Sequence, residues 1–253
     1  MRKRNLRRDN SGQVIVITSL LVAVILLSTV IFVIETGKAT PTTENGEGNV
    51  FPAYEQSIKS TLISALANVS NGGEANVLNA DLDELKMALT STAYDSIIKV
   101  DYTPLNLAPY KNGLWISWST DGKGVSSAYV SYVFNSSSFA TASNMENAAN
   151  ITSAVTLRGS YLQLNDTFKQ ADLTITLQNE GKPALAQDFK FYFQNETNWI
   201  KADSPNITDF GNGTYSVVFD AETGLQNNPF LVSTYCQDQR NIIVSANATC
   251  VST

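Results

Sequence analysis

Leu173–Phe193 reads LTITLQNEGKPALAQDFKFYF, and its alternation decides the fold. Leu173, Ile175 and Leu177 fall on one side of an extended chain. Glu180-Gly181-Lys182-Pro183 turns it. Phe189, Phe191 and Phe193 then share one face, with Lys190 and Tyr192 on the other. Two strands with one apolar side each cannot bury that side alone, so further strands must cover them.

The flanking sequence supplies them. VTLRGSYLQL (155–164) precedes the stretch, and Asn198-Trp199-Ile200 follows as a short strand. Asp209-Phe210-Gly211-Asn212-Gly213-Thr214-Tyr215 leads into YSVVF, where Tyr215, Val217 and Phe219 alternate. PFLVSTYC and NIIVSAN (241–247) complete the set. Roughly seven short strands at roughly 10–15-residue spacing are the pattern of a sandwich. NEGKPALAQDFKFYF and TDFGNGTYSVVF resemble the invasin- and filamin-type immunoglobulin-like repeats of surface and scaffolding proteins, at their G-K-P turn and D-x-G-x-G-x-Y turn. The resemblance implies an immunoglobulin-like β-sandwich over 154–250, and a fold rather than an activity.

Upstream, 51–150 reads as a small α+β segment. Tyr54, Ile58, Leu62 and Leu66 recur every fourth residue, Pro52 suits a first turn, and NVSNGG (68–73) closes this helix. A second helix carries Leu78, Leu82, Leu85 and Leu89, with Asn76 or Asn79 as its cap. IIKVDYT (97–103) and LWISWS (114–119) are β-rich, and Asp121-Gly122-Lys123-Gly124 turns the latter into VSSAYVSYVF (125–134). Trp115 and Trp118 fall on opposite strand faces, so one at most faces a core. An exposed tryptophan there would mark a glycan-binding surface, and a partly covered sheet residue is the plainer alternative. Residues 135–153 are poor in bulky apolar side chains and read as a loop and domain boundary.

The N-terminus has another character. Residues 1–13 form a basic tail with Arg2, Lys3, Arg4, Arg7 and Arg8. Residues 14–35 follow as a single transmembrane helix, uncharged from Val14 to Ile34, which would span about 31 Å at 1.5 Å per residue. Residues 36–50 are a Thr/Gly/Pro/Glu linker. Cations before the span place the tail in the cytoplasm and everything beyond it outside the cell membrane. The arginine-rich tail, Ser11-Gly12-Gln13 and the apolar run resemble the leader of archaeal type IV pilin-like proteins. That resemblance implies processing between Gly12 and Gln13. Ile17 stands where many members carry Glu, and Gly37 and Pro41 stop the helix early.

Chemistry is sparse. The chain has no histidine, which removes Ser-His-Asp and Cys-His catalysis and His-ligated metals. Net charge is −6, with +4 on the first 12 residues and therefore −10 on the remainder, which disfavours nucleic acid. Asp81-Leu82-Asp83-Glu84 points its carboxylates in different directions on a helix and makes no Ca²⁺ site. No phosphate loop or paired-carboxylate spacing occurs, so neither an enzyme nor a cofactor is expected. In an outward-facing domain the default for Cys236 and Cys250 is a disulfide. A hairpin would set Cys236 opposite about residue 242, so the bridge needs the last residues to fold back, and two separately buried thiols are the alternative. Asn-x-Ser/Thr acceptors stand at Asn68, Asn135, Asn150, Asn165, Asn195, Asn206, Asn212 and Asn247, all beyond the span.

The expectation is a mainly β protein with some α: one membrane helix, an α+β segment and an immunoglobulin-like sandwich. It would contact membrane lipid through 14–35 and other surface proteins or glycans outside. Its role would be structural, adhesive or partner-binding, with a pilin-like filament subunit as the alternative.

Overall fold

The computed structural model describes residues 51–91, 97–137, 142–223 and 230–253. The basic tail, the apolar span 14–35, the linker 36–50 and the Gly12–Gln13 junction lie outside the described residues. Within those, no helix is long and apolar enough to cross a membrane.

The four-residue spacing forms helix α1, Phe51–Ser70, which buries Ile58, Leu62, Ala65 and Leu66. It ends where Gly72 takes φ +91° and the Gly73 N–H donates to the Asn68 carbonyl at 3.0 Å. Helix α2, Val77–Ser91, buries Leu78, Leu82 and Leu89. The Asn76 carbonyl accepts from the Ala80 N–H, which makes Asn76 its cap position. Both helices lie on an antiparallel sheet of β1 (Ile97–Pro104), β2 (Leu114–Trp118), β3 (Lys123–Ser137) and the first half of β4 (Ala142–Gln163). β1 and β2 share one edge of β3, pairing with its second and first halves respectively. Tyr54 stacks obliquely on Phe134 at 4.7 Å between ring centroids.

The rest of the chain builds two facing layers. One runs β9 (Asn206–Asp209), β10 (Thr214–Glu222), β5 (Phe168–Asn179), then the second half of β4, with β6 (Lys182–Pro183) beside β5. The other runs β8 (Asn198–Lys201), β7 (Ala186–Asn195), β11 (Phe230–Asp238), β12 (Ile243–Ser252). β12 closes the two together by pairing with β4 in parallel, Val251 against Ser160 and Ser252 against Tyr161. The inward sides alternate as the sequence requires. Leu173, Ile175, Leu177, Tyr215, Val217 and Phe219 meet Phe191, Phe193, Val232, Val244 and Ala246 in one core. Phe191 and Phe219 stack at 6.4 Å, and Phe189 meets Tyr215 edge-on at 4.7 Å. Each such ring, once buried, contributes about 1.5–3 kcal/mol. The fold is therefore mainly β with two helices.

Two expectations need correction. Residues 135–153 are not a loop between domains. Most of them belong to the end of β3 and the start of β4, a continuous 22-residue strand that crosses the expected 150/154 boundary. Pro52–Thr253 forms one compact unit. The low apolar content has a physical cause. This half of β4 is covered by helices on one side only, so Ala149 and Ile151 are buried while Asn144, Glu146, Ala148 and Asn150 are exposed. The cysteines are the second correction. Cys236 and Cys250 are free and buried. Cys236 lies opposite Val244, and Cys250 opposite Phe230, at the two ends of the β11–β12 hairpin. The six-residue offset separates them by about 20 Å at 3.4 Å per residue, beyond any disulfide. Cys250 packs instead where Gly159 has no side chain; a Cβ there would lie 2.4 Å from its Sγ. Burial pushes the Cys250 thiol up to about 12, and the Cys236 thiol also well up.

The two cores are joined at two places. The Asp121–Gly124 turn is wedged between β12 and β4: Gly122 N–H donates to the Asn247 carbonyl at 2.8 Å, and Leu157 N–H donates to the Gly122 carbonyl at 2.7 Å. Gly122 has φ +80°, and a Cβ on it would lie 2.4 Å from the Leu157 carbonyl oxygen. Glycine is required by both conformation and space. At the β11–β12 turn, Asp238 is 0% exposed and accepts from the N–H groups of Arg240 (2.8 Å) and Ile242 (3.0 Å). Arg240 Nε donates to Asp238 Oδ2 at 2.9 Å, and its guanidinium reaches Glu180 Oε1 (2.7 Å) and the Thr152 carbonyl (3.2 Å). The same turn seats Ile242 in the helical core, and Ile243 N–H donates to Ser70 Oγ at 3.0 Å.

Candidate functional site

Register places the outward residues of the β8-β7-β11-β12 layer in rows. Asn247, Ser233, Tyr192 and Lys201 form one row across β12, β11, β7 and β8. Ser245, Tyr235 and Lys190 form the row on one side, and Thr249 and Leu231 lie in the row on the other. Trp199 shares its face with Gln194, beside Tyr192. Strands lie about 4.8 Å apart, so Asn247 and Tyr192 flank Ser233 and stand about 10 Å from each other. The small Ser233 side chain, 5% exposed, leaves a depression where its neighbours stand tall. That depression is a pocket of ≈ 340 Å³ lined by Tyr192, Trp199, Ser233, Tyr235 and Asn247. Its volume is at the lower end of the about 300–1,000 Å³ of small-molecule sites.

The walls are aromatic and open to solvent. Trp199 is 44% exposed and Tyr235 39%. Tyr235 is held edge-on between Tyr192 (5.8 Å) and Trp118 (5.7 Å), each at 73°. Trp118 is itself fixed: its Nε1–H donates to Ser126 Oγ at 3.2 Å, and that hydroxyl donates to the Ile243 carbonyl at 2.7 Å. Tyr192 and Tyr235 thus hold each other in place, with Trp199 beside them and polar character from Ser233 and the Asn247 carboxamide. Lys190 and Lys201 flank the same side. Aromatic faces carry negative potential and attract weakly positive C–H bonds, as sugar rings present. Nothing in the pocket is a nucleophile paired with a base. Among the described residues no group of three His, Cys, Asp or Glu could hold a metal ion.

The acceptor asparagines are scattered over different elements, and only Asn247 enters the pocket. Asn68 ends α1 and Asn206 lies on β9, both exposed. Asn135 on β3 is half-buried. Asn150 Oδ1 accepts from Ser127 Oγ at 3.1 Å. Asn165 Oδ1 caps a turn by accepting from the N–H groups of Thr167 and Phe168, both at 2.9 Å. Asn212 Oδ1 accepts from Thr214 N–H at 3.1 Å. Asn195 Nδ2 donates to the Glu222 carbonyl at 3.1 Å, which ties up the atom that glycosylation uses.

The two β2 tryptophans are the partly covered sheet residues of the plainer alternative. Trp115 and Trp118 are both half-buried, Trp115 against Tyr110 and Trp118 against the sandwich core. The exposed tryptophan is Trp199. The available signal was an aromatic at an outward position in each of three short strands: Trp199, Tyr192 and Tyr235. Their convergence depends on register, which the individual strands do not carry. No protein-family model matches the chain, and no curated protein matches it significantly.

Proposed function

We propose that this is a single-pass cell-surface protein displaying an extracellular immunoglobulin-like domain in a structural or adhesive, partner-binding role. The strand order supports the domain assignment. An immunoglobulin sandwich sets its first, second, fifth and fourth strands in one sheet and the third, sixth and seventh in the other. Here β4, β5, β10 and β9 take the first set of places, and β7, β11 and β12 the second, with β8 as the extra edge strand. The observation that carries the role is the exposed aromatic face, since aromatic residues are enriched at interaction surfaces. The five cations ahead of an uncharged span supply the direction of display. External protease on intact cells tests this reading: it should remove the acidic folded unit, and full protection would reverse the orientation.

The second reading, a pilin-like filament subunit, is favoured by Ser11-Gly12-Gln13 directly ahead of the apolar run. Intact-mass and N-terminal sequencing of the membrane-extracted protein separates the two. A chain beginning at Gln13 supports the filament subunit, and one retaining Arg2 to Arg8 eliminates it.

A further inference from the structure

The aromatic pocket has its attachment point built into its wall. Asn247 lines it, and Thr249, the sequon's third residue, projects from the same face two positions along β12. The Asn247 backbone is fully engaged, its N–H donating to the Ser119 carbonyl at 2.9 Å and its carbonyl accepting from Gly122. Its carboxamide makes no hydrogen bond to any described residue, unlike those of Asn150, Asn165, Asn195 and Asn212.

Resting on the surface-display reading, we infer that the pocket is the seat of this chain's own N-linked glycan, attached at Asn247 and stacked on Trp199 and Tyr235. The donor is an oligosaccharide on a lipid-linked phosphate. Transfer breaks the bond from sugar C1 to the phosphate oxygen and forms C1–Nδ2. The carboxamide gives up one proton, the lipid phosphate leaves, and no electrons change hands. A tethered sugar favours this pocket over a free one. The site is shallow and offers few polar groups, so a free saccharide would bind weakly, whereas a short tether supplies an effective concentration near the millimolar range. The first sugar rings would cover Trp199 and Tyr235, so a partner of the displayed domain would meet the seated glycan on this face rather than bare rings.

The test is glycopeptide mass spectrometry of the full chain from its native membrane, with hydroxyl-radical footprinting of Trp199 and Tyr235. Expected are a glycan on the Asn247 peptide and labelling of both rings that rises severalfold in Asn247→Gln. Thr249→Ala changes an exposed position and abolishes the sequon while keeping Asn247, so it should raise labelling equally. A bare Asn247 in a chain that external protease still removes from cells overturns this inference alone. Unchanged ring labelling in a chain glycosylated at Asn247 overturns the seating. A chain protected from external protease and bare at every sequon overturns this inference together with the display reading.

Discussion

The two outer faces of the sandwich are built from the same kind of strand and present opposite surfaces. On the β9-β10-β5-β4 layer the central outward residues include Asp172, Thr174, Ser216, Asp220 and Arg158, with contacts such as Gln170 Nε2 donating to Asp220 Oδ1 at 3.1 Å, while Val218 lies among them and Leu162 and Phe168 stand exposed at one end. On the β8-β7-β11-β12 layer they include Tyr192, Trp199 and Tyr235. Both layers bury equivalent inward rows, so packing does not explain the difference. A solvated polar face is what a sheet adopts when only solubility matters. The aromatic face carries a cost in solubility, which is why the proposed role is assigned to that side.

Substitutions at neighbouring positions separate the contributions of inner and outer faces. Phe191→Ala, on the inner side of β7, should lower unfolding free energy by about 3–5 kcal/mol in denaturant titration. The adjacent Tyr192→Ala should cost only about 0.2–1 kcal/mol, the worth of a cross-strand pair, and an equal loss would merge the two faces into one structural role. Arg240→Ala should cost about 1.5–3 kcal/mol by taking a charged partner from the buried Asp238, and should destabilise both cores together in one unfolding transition. Gly122→Ala should cost about 1–3 kcal/mol through its positive φ alone, read as a lowered melting temperature.

The pH dependence reads the inner face in a second way. The Cys250 thiol, ordinarily near 9, is raised to about 12 in the folded chain. Its contribution is complete below pH 9, where the thiol is neutral in both states. Between 9 and 12 only the unfolded chain ionises, so stability falls as pH rises through that window. Unfolding at pH 8 and pH 10.5 should show this decline, and Cys250→Ala should reduce it. Cys236 moves in the same direction for the same cause, so a residual slope in that variant is expected.

Much of the architecture is legible residue by residue. The spacing of Tyr54, Ile58, Leu62 and Leu66 gives α1, and the alternation of Phe189, Phe191 and Phe193 gives the inner side of β7, because both periods are local. The first half of β4 is not legible, since Asn147, Ala149 and Asn150 form a strand only through fifteen residue pairs with β3. Propensity there yields to long-range pairing. The expected outward-facing location suggests a bridge and the spacing argues against it; inward alternation places both thiols on one strand face too far apart to meet. Of the candidate site, Asn247 is legible as a sequon. The rings around it are brought together by pairing across β8, β7, β11 and β12, which no single strand encodes.

The wedge at Gly122 has a consequence in time. The helices, β1, β2 and β3 are made first, yet Ile242 belongs to their core and the 119–122 backbone bonds to Asn247. A nascent chain therefore carries an incomplete helical layer and an unpaired β4 edge until residues 242–252 have been synthesised. Most of its contacts are long-range, which slows folding and prolongs exposure of apolar surface. A chain stalled before β12 would keep that edge open and its helical core short of Ile242.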